Sequence, residues 1–174
     1  MADRGGTVDE LYRAAKVRLD CEPRWSCLFQ PSFDPWCCVM VGQPCRGQGQ
    51  RLRGVFLADA TDRHSRVVTL SSDVPKLRGV RADLERDAMA AALRTPLRLT
   101  AWEEPSTMTL DGIGYVMAID CPDGWFRMRF ANPSVPGLVA LAQAAWETAE
   151  ELVSRTDAAE VQAYWESVRR YWQG

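Results

Sequence analysis

The clearest pattern in the chain runs through "TMTLDGIGYVMAIDCPDGWFRMRFANP" (107–133). Ile113, Tyr115, Met117 and Ile119 alternate with Gly114, Val116, Ala118 and Asp120. After a break, Phe126, Met128 and Phe130 alternate with Trp125, Arg127 and Arg129. Period two is the signature of strands with one face toward a core. Asp111-Gly112 and Cys121-Pro122-Asp123-Gly124 supply the turns, because glycine adopts the positive φ that tight hairpins need. The prediction is a three-stranded antiparallel meander over 107–131.

A different period governs the ends. Val8, Leu11, Ala15 and Leu19 recur at helical spacing behind a Thr7–Glu10 capping box, and Glu22-Pro23 ends that helix. After "NPSVPG" two more helices are predicted. One carries a stripe of Leu138, Leu141, Ala142, Ala145, Trp146, Ala149 and Leu152. The other carries Val161, Tyr164, Trp165, Val168 and Trp172, with Asp157 and Glu160 as its cap. Helix formers over 81–95, with Leu84, Ala88, Ala91 and Ala92 on one side, predict a further helix stopped by Pro96.

Between these lie shorter signals. "CCVMV" (37–41) reads as a buried strand, and 51–60 with 66–71 as a hairpin through "TDRHS". Residues 97–103 form another strand candidate. Pro23, Pro31 and Pro35 make 21–36 read as irregular loop, and "GQPCRGQGQ" reads as a long turn. The expectation is one α+β domain over 1–174, its helices covering one face of an antiparallel sheet. Residues 1–6 are expected to be flexible and 21–50 to be a cysteine- and proline-rich connector.

Composition narrows the function. A length of 174 residues is enough for one core, and 47% hydrophobic with 25% charged residues is an ordinary globular balance. A net charge of −2 argues against a general nucleic-acid binder, although Arg46, Arg51, Arg53, Arg63 and Arg66 lie close together. No apolar run reaches the ~18 residues of a membrane helix. "MADRGGTVDELYR" lacks the apolar stretch of a signal peptide. The expected compartment is the cytoplasm, or the periplasm if a signal was removed ahead of residue 1.

Five of six cysteines fall between Cys21 and Cys45, which raises four chemistries. A zinc site is not expected, because ligands usually come as close C-x₂-C pairs and none exists here. Cys37-Cys38 is vicinal on a predicted strand, so the two thiols face opposite ways and do not make a thioredoxin-like centre. Disulfides within 21–45, or to Cys121, compete with free thiols acting as small hydrophobes. A nucleophile would need a base, and His64 is the only histidine. Cys37 or Cys38 with His64, oriented by Asp59 or Asp62, is the one arrangement that can be written. No cofactor motif is present.

Binding is the remaining class. Trp25 and Trp36 sit in the predicted loop, where aromatic residues bury large area at small entropic cost. With Phe33, Arg46, Arg51 and Arg53 they form the predicted protein-binding set; the alternative is that the tryptophans fold back onto the sheet.

Residues 110–153 resemble small bacterial proteins, some of them similar to immunity or inhibitor proteins of toxin systems. The residues that carry the resemblance are Asp111, Gly112, Tyr115, Asn132 and Pro133. It implies a class and no site residues. The sequence thus leads to a non-catalytic protein-binding protein with a toxin or effector as partner. A homodimeric chaperone for a secreted effector and a cysteine-dependent enzyme near Cys37, Cys38 and His64 are the alternatives.

Overall fold

A computed structural model of the chain describes residues 5–32, 34–43, 52–59, 77–94, 112–121 and 124–172. Among them four helices surround a six-stranded antiparallel sheet, as the α+β expectation requires. The order along the chain is α1 (Gly5–Leu19), β1 (Glu22–Pro31), β2 (Cys37–Gln43), β3 (Arg53–Asp59) and β4 (Leu77–Asp83). Then come α2 (Ala88–Ala92), β5 (Ile113–Cys121), β6 (Gly124–Ala131), α3 (Pro136–Val153) and α4 (Ala159–Arg169). Across the sheet the strands run β4-β3-β2-β1-β5-β6, every neighbour antiparallel.

Helices cover both faces of this sheet, not one. Leu11, Ala15 and Leu19 of α1 join Leu28, Cys38, Met40, Val55 and Leu57 in one buried cluster. On the opposite face Leu141, Ala145, Trp146 and Leu152 of α3, with Val161, Trp165 and Val168 of α4, meet Phe29, Val39, Phe56, Tyr115 and Met117. A central strand covered on both sides loses its alternation and becomes uniformly apolar. That is why "CCVMV" has no polar position: Cys37 through Val41 are all buried. Each large apolar side chain so enclosed contributes roughly 1.5–3 kcal/mol.

The segment expected to be loop is a central strand. β1 pairs β2 through Leu28↔Cys38 and Phe29↔Cys37, and β5 through Trp25↔Ile119 to Pro31↔Ile113. Its prolines sit where a strand tolerates them. Pro23 adjoins a register shift, Pro31 closes the strand, and Pro35 lies in the turn to β2. Trp25, Cys27 and Phe29 face α3 and α4, while Ser26 and Leu28 face α1. Ser26 is buried but satisfied, because its hydroxyl shares a hydrogen bond with Tyr12 Oη.

A second correction concerns 81–95. Leu77–Asp83 is strand, and helix is confined to Ala88–Ala92, capped by Asp87 Oδ1 accepting from Ala90 N at 2.9 Å. Ladder pairing with β3 from Arg53↔Asp83 to Asp59↔Leu77 overrides the helix preference of Arg, Ala and Leu. β4 is therefore the outer partner of β3; the expected partner, 66–71, lies outside the described residues. So do 97–103 and the first strand of the meander.

Its remaining pair stands as read: β5 and β6 join at Cys121↔Gly124, where Gly124 has φ +124°. Asn132, with φ +43°, closes the far end by accepting from Ile113 N at 3.0 Å. α1 starts earlier than Thr7, at Gly5, inside the stretch expected to be flexible. The N-cap of α4 is Ala158, with no side-chain cap hydrogen bond, rather than Asp157, and Thr156 Oγ1 accepts from Ala158 N in the turn ahead of it.

Candidate functional site

Three regions carry chemistry-bearing side chains, and each can be followed from its elements.

The first is the thiol group at the sheet's centre. Cys37 and Cys38 emerge on opposite faces, since neighbours in a strand must: Cys37 joins the α3–α4 core and Cys38 the α1 core. Cys27 lies on the same face as Cys37, one strand over. All three are fully buried, and with Cys121 they are free thiols. Burial raises the pKa of Cys38 to about 12 and pushes those of Cys27 and Cys37 up as well. Nucleophilic and ligating chemistry belongs to the thiolate. Cys37 and Cys38 are enclosed in the two apolar clusters, and that burial favours the protonated form of each thiol. His64 and Asp62 lie outside the described residues. No group of three or more His, Cys, Asp or Glu able to hold a metal exists among those described.

The second region is the outer face of α3. Gln143, Trp146, Glu147, Glu150, Arg169 and Trp172 line a groove of about 340 Å³. Next to it Glu85, Arg86, Glu147, Glu150, Glu151 and Ser154 line one of about 410 Å³. The carboxylates could suggest acid–base work. Each is already engaged: Glu147 with Arg86 at 3.6 Å, Glu150 with Arg169 at 3.2 Å, and Glu151 with Arg155 at 3.1 Å. Glu151 also accepts from Glu85 N at 2.7 Å. This network ties α4 and the segment between β4 and α2 to α3.

The third region is β6. Tyr115, Met117 and Ile119 of β5 face Phe130, Met128 and Phe126, which places these three on the α3–α4 side. Phe130 stacks on Tyr115 at 5.0 Å between centroids, and Tyr115 Oη accepts from Trp146 Nε1 at 2.9 Å. That end of β6 is thereby anchored. At its start, Phe126 on one face and Trp125 on the other are both 44% exposed. Arg127 and Arg129 share the face of Trp125 and are exposed. Directly across from them stand Ala118 and Val116, with Asp120 diagonal to Arg127. Neither takes part in any ion pair among the described residues. Asp120, the acid on this face, stands across from Trp125 at the hairpin end.

Of the predicted binding set, Trp25, Trp36 and Arg53 are among the described residues, and they lie on different parts of the sheet. Trp25 is 4% exposed within the α3–α4 core, so the fold-back reading describes it. Trp36 is half-buried and packs on the α1 side. Arg53 is half-buried beside Asp83 at 3.5 Å. Phe33, Arg46 and Arg51 lie outside the described residues. The turn that carries Trp36 is held down by α4, with Arg170 on Asp34 at 2.8 Å and Tyr164 Oη donating to Pro35 O at 2.5 Å. The β6 surface is not among the residues the sequence singles out for binding, although its alternation is plain there. Periodicity shows which residues share a face, not whether a neighbouring element covers them.

The fold and this surface define an α+β protein with helices on both faces of an antiparallel sheet and, among the described residues, an aromatic–arginine strand paired on one side only. The chain matches no family model, no curated protein and no solved structure. Among the described residues no helix is long and apolar enough to cross a membrane.

Proposed function

We propose that this is a non-catalytic protein-binding protein, of the immunity or inhibitor kind, that engages a toxin or effector through β6. One observation carries the reading: Trp125 and Phe126 stand exposed at the start of an outer strand whose arginines take part in no ion pair among the described residues. Large aromatic side chains and arginine are the types that dominate binding energy at protein interfaces. The buried thiols and the ion-paired carboxylates, by contrast, are occupied with holding the fold.

The test is a binding titration against the products of genes adjacent to this one. A partner is expected at micromolar affinity or better. The double variant Trp125→Ala, Phe126→Ala should weaken it by about 100-fold, since each truncated anchor typically costs at least ~1–2 kcal/mol. The reading fails if no adjacent product binds, or if the double variant binds as tightly as the parent.

A further inference from the structure

The reading above leaves the chemistry of the partner open, and the residues of β6 constrain it. Among the described residues β6 pairs only with β5, so alternate backbone N–H and C=O groups along its other side face outward. Such a row accepts another strand by main-chain hydrogen bonding, and the side chains beside it select which strand. On one face the selectors are Trp125, Arg127 and Arg129; on the other they are Phe126, Met128 and Phe130.

The stretch from Phe126 to Phe130 reads Phe-Arg-Met-Arg-Phe and is palindromic about Met128. If two copies paired antiparallel about that residue, Arg127 would stand across from Arg129 twice. Like charges directly opposite are destabilising, so a second copy is the wrong occupant. A strand with acidic residues at alternate positions puts carboxylates beside both arginines. Apolar residues between them would meet Phe126 and Met128 on the other face. Directly across in β5 stand Ala118 and Val116, so neither arginine faces an acid at its own register position, and an acidic strand on the other side supplies one.

We infer that the partner segment is an extended strand alternating acidic with apolar residues, and that it binds by adding to the sheet alongside β6. This rests on the assignment of β6 as the binding surface.

The probe is a soluble peptide of about twelve residues alternating Glu with Val, titrated into the full chain by calorimetry. A Lys–Val peptide of the same alternation and a shuffled Glu/Val peptide serve as comparisons. The Glu–Val peptide is expected to bind at least about tenfold more tightly than either, and to slow amide exchange along β6. The double variant Arg127→Glu, Arg129→Glu is expected to reverse the preference, binding the Lys–Val peptide about tenfold better than the Glu–Val one. That reversal separates lost charge complementarity from misfolding, because an unfolded variant would bind neither. Equal affinity for the three peptides, no binding at about 1 mM, or binding without slower exchange in β6 would overturn the inference. A partner that still depends on Trp125 and Phe126 would then leave the protein-binding reading standing without its acidic strand.

Discussion

The two outer strands of this sheet are finished in different ways. On β4 every charged side chain has a partner: Arg78 with Glu160 at 3.0 Å, Arg81 with Asp20 at 4.0 Å, and Asp83 with Arg53 at 3.5 Å. These pairs reach α4 on one face and the end of α1 on the other, so the β4 edge is tied into both helical layers. On β6, Arg127 and Arg129 face Ala118 and Val116, and the indole and phenyl rings beside them are in solvent. Outer strands need some device against unwanted pairing, and charge is a common one. At β4 charge links layers within the molecule. At β6 the arginines take part in no ion pair among the described residues.

The largest effect that tests this difference lies in the backbone of β4. A Cβ added to Gly79 would sit 2.1 Å from the carbonyl oxygen of Phe56 and 2.4 Å from Leu57 Cδ2. The carbonyl belongs to the neighbouring strand and cannot move without opening the ladder. Gly79→Val should lose about 3 kcal/mol or more, read as a lower urea midpoint. The counterpart near β6 is Gly124→Ala, where nothing lies within 4 Å and only the φ of +124° resists. About 1–2 kcal/mol is expected there. Equal losses at the two sites would mean that β4 is no more tightly seated than β6.

A smaller effect isolates the centre of the sheet between its edges. The thiols of Cys27, Cys37 and Cys38 titrate near 9.0 when unburied, and burial raises all three in the folded chain. Above pH 9 the unfolded chain therefore holds fewer protons than the folded one, and stability falls as pH rises. The contribution is complete below pH 9 and continues to drain until the folded pKa is reached, about 12 for Cys38. Between pH 9 and 10 each thiol should remove about 1 kcal/mol. Guanidinium groups titrate only above pH 12, so this window leaves arginine pairs intact. Urea unfolding at pH 7, 9 and 10 measures the slope, and Cys38→Ala should make it shallower. A flat profile would show that these thiols are not enclosed.

Much of this architecture is legible in the residues themselves. Ile113 to Phe130 alternates cleanly because β5 and β6 bury one face more deeply than the other. The stripe from Leu141 to Leu152 is equally plain, since α3 lies along the sheet with solvent behind it. β1 was hidden by composition. Its prolines suggest loop, yet Trp25, Cys27 and Phe29 fall at strand spacing on one side, a signal that outweighs Pro23 and Pro31 at the strand's ends. "LRGVRAD" was hidden by propensity, because helix-forming residues on an edge strand obey their ladder partners in β3. The burial of Trp25 and the exposure of Trp125 could not be ranked from the chain alone. Both are tryptophans on strands, and what separates them is strand order, a long-range property that periodicity does not encode.

The smallest expected change in stability discriminates most sharply between the edges. Arg78→Ala breaks an ion pair whose side chains are 56% and 69% exposed, and exposed pairs contribute roughly 0–1 kcal/mol. The double variant Arg127→Ala, Arg129→Ala breaks no ion pair among the described residues and should stay within about 0.5 kcal/mol of the parent. Association is where they part. Removing both β6 arginines deletes the like-charge clash that opposes two-fold pairing about Met128, while leaving Phe126 to meet Phe130 of the other copy. Sedimentation at about 100 μM protein should show the double variant shifted toward dimers or larger species relative to the parent. Arg78→Ala should sediment as the parent does, because the rest of β4 keeps its ties to Asp20 and Arg53. If the two variants sediment alike, the charge at β6 is not what keeps that edge free for a partner.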